Sequence, residues 1–257
     1  MKARHLIATL VASTLSVVAH AAQVQVAVAS NFTKPMQAIA AAFEQDTGHT
    51  ALLAFGSTGK LYAQIRNGAP FEVLLAADEA VPARLEREGL GVAGSRFPYA
   101  IGTLVLWSAR DGYVSQASSL TEQPYRHLAI ANPKTAPYGA AAIATLARLG
   151  LADAVKDRLV QGENIAQTHQ FVASGNAELG FVALSQVVEN GKIRQGSGWV
   201  VPASYHPPIR QDALLLHKGR DNPAAAALLD YLSGEQATRI IESYGYGLAK
   251  GDTDAAR

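Results

Sequence analysis

Residues 23–43, QVQVAVASNFTKPMQAIAAAF, decide the fold that we predict for this chain. The first seven alternate between polar and apolar and then become apolar, a pattern typical of a strand that enters a hydrophobic core. Ser30 and Asn31 often cap helices, and Pro35 suits a first helical turn. The apolar residues that then share one helical face are Met36, Ile39, Ala40 and Phe43. The stretch predicts a strand, a short polar loop and an amphipathic helix that Gly48 ends.

The same unit recurs twice before residue 90. A strand predicted at 50–55 leads through Gly56-Ser57-Thr58-Gly59 into a helix at 60–66. A further apolar strand at 71–77 is followed by another predicted helix. Strands and helices that alternate in this way indicate a parallel sheet with helices packed on its faces, so the predicted fold class is α/β.

Beyond Gly89 the predicted elements are more varied. Residues 99–107, YAIGTLVLW, predict one long strand. The other predictions are strands at 127–130, 179–184 and 209–216 and helices at 137–149, 166–172, 223–232 and 235–244. The segment 202–208 holds three prolines and predicts a loop.

These elements fit two α/β lobes that are joined by a two-segment hinge, with a ligand cleft between them. We expect the chain to cross between the lobes near 101–105 and again near 208–212. The C-terminal segment then returns to complete the first lobe. The predicted division gives residues 23–102 and 208–257 to the first lobe and residues 103–207 to the second.

The N-terminus carries a predicted secretory signal. Residues 1–5 hold three basic side chains, residues 6–18 are apolar except for Ser and Thr, and Ala19-His20-Ala21 supplies the small residues of a cleavage site. The apolar run is shorter than the roughly 20 residues that a spanning helix needs. We therefore expect residues 1–22 to be a cleaved signal peptide and the mature protein to act in the periplasm. A retained anchor or a buried core helix is the alternative.

Composition argues against several functional classes. The chain has 257 residues and a formal net charge of +1, and its basic residues are scattered, so nothing points to nucleic acid. Cysteine is absent, which excludes thiolate metal sites, iron–sulfur clusters and a cysteine nucleophile. The histidines form no metal-binding pair in the sequence. We expect no cofactor.

The common catalytic motifs are also missing. Gly56-Ser57-Thr58-Gly59 lacks the spacing of a nucleophile elbow, and Gly191-Lys192 lacks the upstream glycine of a phosphate-binding loop. Gly245-Tyr246-Gly247 looks like the start of a dinucleotide motif, but no predicted strand precedes it, so a turn after the last helix is the simpler interpretation. An enzyme is therefore less favoured. An exported α/β enzyme and a structural or signalling module stay as alternatives.

Four loops share one feature, which is small hydrogen-bonding residues at a predicted helix start. They are Ser30-Asn31, Ser57-Thr58-Gly59, Pro137-Tyr138-Gly139 and Glu163-Asn164-Ile165. The first N–H groups of a helix lack partners within it and carry positive partial charge, so they bind anions without Lys or Arg. In open α/β sheets such loops gather at the carboxyl ends of the strands. Ordinary capping explains each loop alone, and packing explains Tyr138, but together they predict an anion site.

Five stretches of the chain resemble the periplasmic molybdate-binding proteins of ABC importers, which have the type II periplasmic binding-protein fold. The stretches are VAVASNFTKPMQAIAAAFEQDTGH, FGSTGKLYAQIRNGAPFEVLLAAD, SRFPYAIGTLVLWS, ANPKTAPYGAAA and SGNAELGFVALSQV. The resemblance runs from about Val24 to Leu248. NGAPFEV, APYG and LGFVAL are its specific motifs, whereas the two-lobed architecture is shared far more widely.

The resemblance implies a site for an oxyanion that is made of hydrogen-bond donors. The residues that it assigns are Ser30 and Asn31 in the first loop, Ser57 and Thr58 in the second, Tyr138 in the third, and a backbone N–H near Ile165. Many family members have Ser at the position of Thr58, and the hydroxyl is kept. Another branch of the family uses a tyrosine at the position that is Ala183 here. With Tyr138, this chain resembles the first branch.

The resemblance also implies a ligand and a partner. A shell of donors suits an unprotonated dianion such as molybdate or tungstate, whereas a protonated phosphate also needs an acceptor. The implied partner is the transmembrane permease of an ABC importer, and the implied state is a monomer. The alternatives are binding proteins for sulfate, phosphate, a small organic anion or ferric ion. Paired tyrosines at the site would favour a ferric-ion site, and Tyr244 and Tyr246 are close together in the sequence, although packing explains them as well.

Overall fold

The computed structural model describes residues 21–189 and 191–248, which form two five-stranded sheets and a two-stranded ribbon with helices around them. The strands are β1 Gln23–Ala29, β2 Thr50–Gly56, β3 Val73–Leu75, β4 Phe97–Gly102, β5 Leu104–Ser108, β6 Leu128–Ala131, β7 Leu159–Gly162, β8 Leu179–Ala183, β9 Val188–Glu189, β10 Lys192–Ile193, β11 Ser197–Val200 and β12 Ile209–Leu215. The helices are α1 Thr33–Thr47, α2 Thr58–Arg66, α3 Ala80–Arg87, α4 Ser119–Glu122, α5 Pro137–Arg148, α6 Ala152–Val155, α7 Ile165–Ala173, α8 Leu184–Val187, α9 Pro223–Ser233 and α10 Glu235–Ser243.

The first sheet has the strand order β2-β1-β3-β12-β4. β1 pairs in parallel with β2 and β3, and β12 runs antiparallel between β3 and β4. The register places Ala29 beside Gly56, so the polar loops that follow β1 and β2 are neighbours. Met36, Ile39 and Phe43 of α1 are fully buried against this sheet. The strand and helix predicted at 23–43 are confirmed.

The second sheet has the strand order β11-β5-β8-β6-β7. β6 is parallel to β7 and β8, whereas β5 is antiparallel to β8 and β11. Ala131 pairs with Gly162 at the carboxyl ends of β6 and β7, so the loops that lead into α5 and α7 lie side by side. Each sheet therefore presents two adjacent loops at the ends of parallel strands.

The prediction of a single strand at 99–107 is wrong. The chain breaks at Gly102-Thr103, and the two halves become β4 of the first sheet and β5 of the second. Gly102 has no room for a side chain, because a Cβ there would lie 2.1 Å from the Tyr138 hydroxyl oxygen and 2.7 Å from Gln211 Nε2. Both halves are apolar, so their hydropathy reads as one strand, but the change of sheet lies within 101–105, where the chain is predicted to cross between the lobes.

The second connection between the sheets runs from β11 to β12. It contains the segment predicted as a loop, in which Ala203–Tyr205 forms a 3₁₀ turn. β12 returns the chain to the first sheet, where α9 and α10 pack in the same core as α1. The predicted α/β fold with two sheet-based lobes is confirmed.

Several of the shortest elements were not predicted from the sequence. The strand predicted at 71–77 is limited to Val73–Leu75, and the one-turn helices α4, α6 and α8 have no counterpart among the predictions. The same is true of β7, β9, β10 and β11. Elements of two to four residues are too short to show a hydrophobic period.

The predicted signal peptide lies outside the described residues, apart from Ala21 and Ala22. β1 begins at Gln23, directly after the expected cleavage site. Within the described part of the chain, no helix combines the length and the apolar character that a membrane crossing requires.

Two carboxylates with raised pKa values lie where β3 ends beside β12. Asp78 Oδ1 accepts the backbone N–H of Val81 at 2.7 Å, at the start of α3, and Asp212 accepts from the Arg96 guanidinium. Burial raises the pKa of Asp78, and the nearby charges of Asp212 and Glu79 add to this. Burial also raises the pKa of Asp212, although Arg96 opposes the shift. Ionising either carboxyl therefore costs stability in the folded protein.

Asp78→Asn should make stability less dependent on pH from about pH 4, the ordinary pKa of an aspartate, upward through the raised folded pKa. Asparagine keeps an oxygen for the Val81 N–H and removes the titrating carboxyl. The folded protein holds the Asp78 proton more tightly than the unfolded chain does, so the wild type loses stability as the pH rises through the folded pKa. Urea unfolding at several pH values measures this, with the exposed Asp221→Asn as control. If both variants show the pH dependence of the wild type, the assignment to Asp78 is wrong.

Candidate functional site

Residues from all four predicted loops meet in one cleft between the two lobes, which we name the interlobe cleft. Its lining consists of Ala29, Ser30, Asn31, Gly56, Ser57, Thr58, Ala77, Ala136, Pro137, Tyr138 and Ile165. The cavity at the cleft has a volume of about 10 Å³. The structure thus brings together every residue that the resemblance assigns to ligand binding.

The loops reach the cleft because each follows the carboxyl end of a parallel strand. β1 passes into a 3₁₀ turn at Ser30–Phe32, and β2 passes into α2, whose first residue is Thr58. In the second lobe, α5 begins at Pro137 after β6 and α7 begins at Ile165 after β7. The opening N–H groups of α2, α5 and α7 lack partners in their own helices, which gives this end of the cleft positive partial charge.

Two hydroxyl groups at the start of α2 are placed to donate. Ser57 Oγ is buried and has no hydrogen-bond partner within residues 21–189 and 191–248. Thr58 Oγ1 accepts the backbone N–H of Ala77 at 3.0 Å, which leaves its hydroxyl hydrogen for another acceptor. A buried hydroxyl without a partner is costly, so an acceptor inside the cleft would stabilise this loop.

Asn31 lies at the cleft, but other protein groups engage its side chain. Nδ2 donates to Gln211 Oε1 at 2.8 Å and to the Tyr246 hydroxyl at 2.9 Å, so both amide hydrogens are used. The Asn31 carbonyl oxygen accepts the hydroxyls of Ser185 and Tyr246 at 2.9 and 2.8 Å. In this arrangement Asn31 offers a ligand its backbone N–H, and its side chain joins the cleft to a buried polar network.

Tyr138 places a protonated hydroxyl at the cleft. The residue is 2% exposed, and its hydroxyl oxygen accepts from Gln211 Nε2 at 3.4 Å. Burial raises the pKa of Tyr138 well above its ordinary value, and the neighbouring phenols of Tyr246 and Tyr99 add to this. The hydroxyl therefore stays protonated at physiological pH and can donate a hydrogen bond.

Ile165 begins α7, and its surroundings fix that first turn. Asn164 caps the helix by accepting the backbone N–H of Gln167 at 3.0 Å. The Ile165 carbonyl accepts from Gln186 Nε2 at 3.0 Å, and Gln186 Oε1 accepts the N–H of Ala183 at 2.9 Å. The backbone N–H of Ile165, which has no partner within the helix, is thus held in place.

The lobes touch at several places around the cleft. The Gly59 N–H donates to the Thr135 carbonyl at 2.9 Å. An ion pair joins Lys60 and Glu163 at 2.7 Å on the exposed rim. A third contact between the lobes is the hydrogen bond that the Ser185 hydroxyl donates to the Asn31 carbonyl at 2.9 Å. The structure therefore has the lobes in contact on several sides of the cleft.

The polar groups of the cleft are neutral. None of the described residues that line it carries a formal charge. Across the part of the chain that the structure describes, no group of three or more His, Asp or Glu side chains is placed to hold a metal ion. Hydroxyls and helix-start N–H groups of this kind suit an anion recognised through its oxygens.

The network beside the cleft contains four residues that sequence analysis missed as part of the site, namely Gln211, Tyr99, Ser185 and Tyr246. Tyr246 was expected in a turn, and the structure adds that its hydroxyl is buried against Asn31, where burial raises its pKa to about 12. Gln211 carried no distinct signal, because it lies between Arg210 and Asp212 in the polar first half of the strand predicted at 209–216.

Known proteins resemble this chain over nearly its whole length. The family described as bacterial extracellular solute-binding protein matches residues 24–247. A molybdate-binding protein of Azotobacter vinelandii is 62% identical over 244 residues, which cover 95% of this chain and 97% of that protein. One of Rhodobacter capsulatus is 48% identical over 232 residues, covering 90% and 91%. A solved periplasmic molybdate-binding protein of Azotobacter vinelandii has a TM-score of 0.86 and 42% identity, covering 88% of this chain and 100% of that chain.

Gly102→Ala should weaken anion binding by about tenfold, because the added Cβ must displace the Tyr138 hydroxyl or the Gln211 amide. Gly247→Ala is the matched control, since its Cβ would meet only Ile101, at 3.5 Å or more. Calorimetric titration with molybdate, the ligand named for the relatives, measures both. If the two variants bind equally well, the close approach at Gly102 does not shape the cleft.

Proposed function

The chain belongs to the family of bacterial extracellular solute-binding proteins, and on that premise we propose that it captures molybdate and delivers it to an ABC importer. One observation carries the proposal: the interlobe cleft is lined by neutral groups, of which the Ser57, Thr58 and Tyr138 hydroxyls are free to donate. The relatives that are molybdate-binding proteins support the same ligand. The chain is a carrier and not an enzyme.

The proposed ligand shell combines side chains and helix starts from both lobes. Its members are Ser30, Asn31, Ser57, Thr58, Tyr138 and Ile165. Molybdate is a tetrahedral dianion at neutral pH whose oxygens only accept hydrogen bonds. Burying it costs many kcal/mol unless donors replace its water. Because the fold holds these donors in place before the ligand arrives, little free energy is spent on arranging them.

A shell made only of hydrogen-bond donors should also bind tungstate and should reject anions that carry a proton or differ in size. Tungstate has the charge and shape of molybdate, so we include it as a second ligand. Hydrogen phosphate carries a proton that needs an acceptor, and a shell of donors leaves that proton unpaired. Sulfate is smaller, so its rejection must come from the fit of the closed cleft.

We further propose where the protein acts and how it moves. Residues 1–22 are a signal peptide whose removal leaves a periplasmic carrier. The hinge lies at 102–103 and 207–208, where the chain passes between the two sheets. Closure about this hinge buries the anion and creates the shape that a membrane permease engages. The carrier acts as a monomer.

A panel of anions tests the ligand. Molybdate or tungstate at a thousandfold excess over its dissociation constant should stabilise the folded protein by about 4 kcal/mol, seen as a rise in melting temperature. Sulfate, phosphate and ferric citrate should give little change. A comparable rise with sulfate would contradict selection by size. No rise with any oxyanion would overturn the proposed function.

Ser57→Ala should separate ligand binding from stability. The Ser57 hydroxyl has no protein partner among the described residues, so its removal should leave the ligand-free protein at least as stable as the wild type. Molybdate affinity should fall about tenfold, because a donor to the buried anion is lost. Calorimetry and unfolding in urea, each with and without molybdate, measure the two effects.

Ser108→Ala is the matched control for that variant. Ser108 is also fully buried, but its hydroxyl donates to the Glu178 carbonyl at 2.7 Å and lies outside the cleft. This variant should lose stability by about 1 kcal/mol and keep its molybdate affinity. If Ser57→Ala behaves in the same way, its hydroxyl is not part of the ligand shell.

A further inference from the structure

Gln211 occupies the centre of the polar network beside the cleft. It lies on β12 and is fully buried. Its Oε1 accepts from Asn31 Nδ2 at 2.8 Å and from the Tyr99 hydroxyl at 3.1 Å. Its Nε2 lies 3.4 Å from the Tyr138 hydroxyl oxygen. One side chain thus contacts three residues that come from distant parts of the chain.

These contacts fix the direction of the Gln211 amide. Asn31 Nδ2 donates to the amide oxygen, and the Tyr99 hydroxyl, whose single hydrogen also has the Ala76 carbonyl within 3.0 Å, lies on the same side of the amide. The amide nitrogen, which only donates, is then left facing Tyr138. A tyrosine hydroxyl that accepts an N–H on one side must donate its own hydrogen in another direction. For Tyr138, one such direction is the interlobe cleft, which it lines, and the other is the Tyr246 hydroxyl, whose oxygen already accepts from Asn31 Nδ2.

We propose that Gln211 is a positioning residue that directs the Tyr138 hydroxyl hydrogen into the cleft and thereby restricts the site to oxyanions without a proton. The inference rests on the proposed function, because it takes Tyr138 as a ligand contact. With Gln211 donating to it, Tyr138 presents a donor to the ligand. Without that donor, the Tyr138 oxygen regains a free lone pair and can accept the proton of hydrogen phosphate.

The geometry at the hinge supports this role. Gly102 leaves no space for a Cβ beside the Tyr138 hydroxyl and Gln211 Nε2, at 2.1 and 2.7 Å respectively. The Tyr138 hydroxyl and the Gln211 amide therefore pack directly against the backbone at Gly102, which limits the rotation of both side chains. The register of β12 against β4 also shifts between Gln211 and Asp212, which marks this residue as a local irregularity in the strand.

In the first lobe, the hydroxyl of Thr58 is oriented in the same way, by a protein N–H that donates to its oxygen. Its hydroxyl oxygen accepts the Ala77 N–H, so its hydrogen is also directed away from the protein donor. In that case a backbone group sets the direction and no substitution can remove it. Gln211 is the side-chain counterpart, and it can be tested by mutation.

The first experiment measures the affinities of Gln211→Met for molybdate and for inorganic phosphate by calorimetry. Methionine fills a similar volume and can neither donate nor accept strongly. We expect molybdate binding to weaken about tenfold and the preference for molybdate over phosphate to narrow by at least as much. If both anions are weakened equally, Gln211 only supports the fold of the site, and the inference is overturned.

A double-mutant cycle shows whether Gln211 acts through Tyr138. In the Tyr138→Phe background, Gln211→Met should change molybdate affinity by less than about threefold, because the hydroxyl that it directs is gone. In the Ser57→Ala background it should keep its full effect, since no hydrogen bond joins the Ser57 hydroxyl to Gln211 among the described residues. Equal effects in all three backgrounds would contradict the inference.

Gln211→Glu is a second test variant, which has the same shape as glutamine and can be used if Gln211→Met does not fold. A carboxylate accepts from Tyr138 and turns its hydrogen away from the cleft, so molybdate binding should be lost at high pH. Binding should return as the pH falls and the carboxyl gains a proton that it can donate. Gln64→Glu adds the same charge on the exposed face of α2 and should show no such recovery.

The outcomes for the inference and for the proposed function are distinct. If Tyr138→Phe binds molybdate as the wild type does, the proposed site is wrong and Gln211 has nothing to direct. If Tyr138→Phe weakens binding but both Gln211 variants bind molybdate and reject phosphate normally, the proposed function stands and only the inference fails.

Discussion

A dianion that is buried between two lobes loses its water, and the cost of that loss governs the rest of this structure. An unpaired ion in an apolar interior costs tens of kcal/mol by simple solvation estimates. A lysine or arginine could offset part of it, but no described residue lining the interlobe cleft carries a charge. Oriented neutral donors must supply the compensation, and helix starts and buried hydroxyls are donors that a fold can hold rigidly.

The topology places the loops that carry these donors in pairs. The groups around each hydroxyl then determine where its hydrogen points. Ala29 beside Gly56 in the first sheet, and Ala131 beside Gly162 in the second, place two loops together in each lobe. A hydroxyl can donate or accept, so position alone does not make it a donor. Thr58 acquires its direction from a backbone N–H and Tyr138 from the Gln211 amide. Four of the six residues of the proposed shell belong to the first lobe and two to the second, so the shell is complete only in the closed form.

Sequence reasoning located the loops of this site but not the contacts that orient them. The loops are local features, because a change from strand to helix pattern and a capping residue lie within a few positions of each other. Tyr138 entered only through the resemblance, since packing explained it equally well. Asn31 lies 180 residues from Gln211 and 215 from Tyr246, and no periodicity links positions so far apart. The change of sheet at Gly102 falls within the crossing predicted near 101–105, whereas the close approach of the Tyr138 hydroxyl to Gly102 joins positions too far apart for any periodicity to link.

Three polar contacts between the lobes are individually weak, and this weakness suits a carrier. The Lys60–Glu163 ion pair is exposed, and such pairs contribute about 0–1 kcal/mol. The hydrogen bonds of Gly59 to Thr135 and of Ser185 to Asn31 exchange for water on opening and add about 1 kcal/mol each. Moving a two-state equilibrium from 1:99 to 99:1 requires about 5.5 kcal/mol of differential binding. An anion held by donors from both lobes can supply that difference, because only the closed form offers it the whole shell. The closed shape then depends on the ligand, so a permease that engages this shape takes up loaded carriers in preference to empty ones.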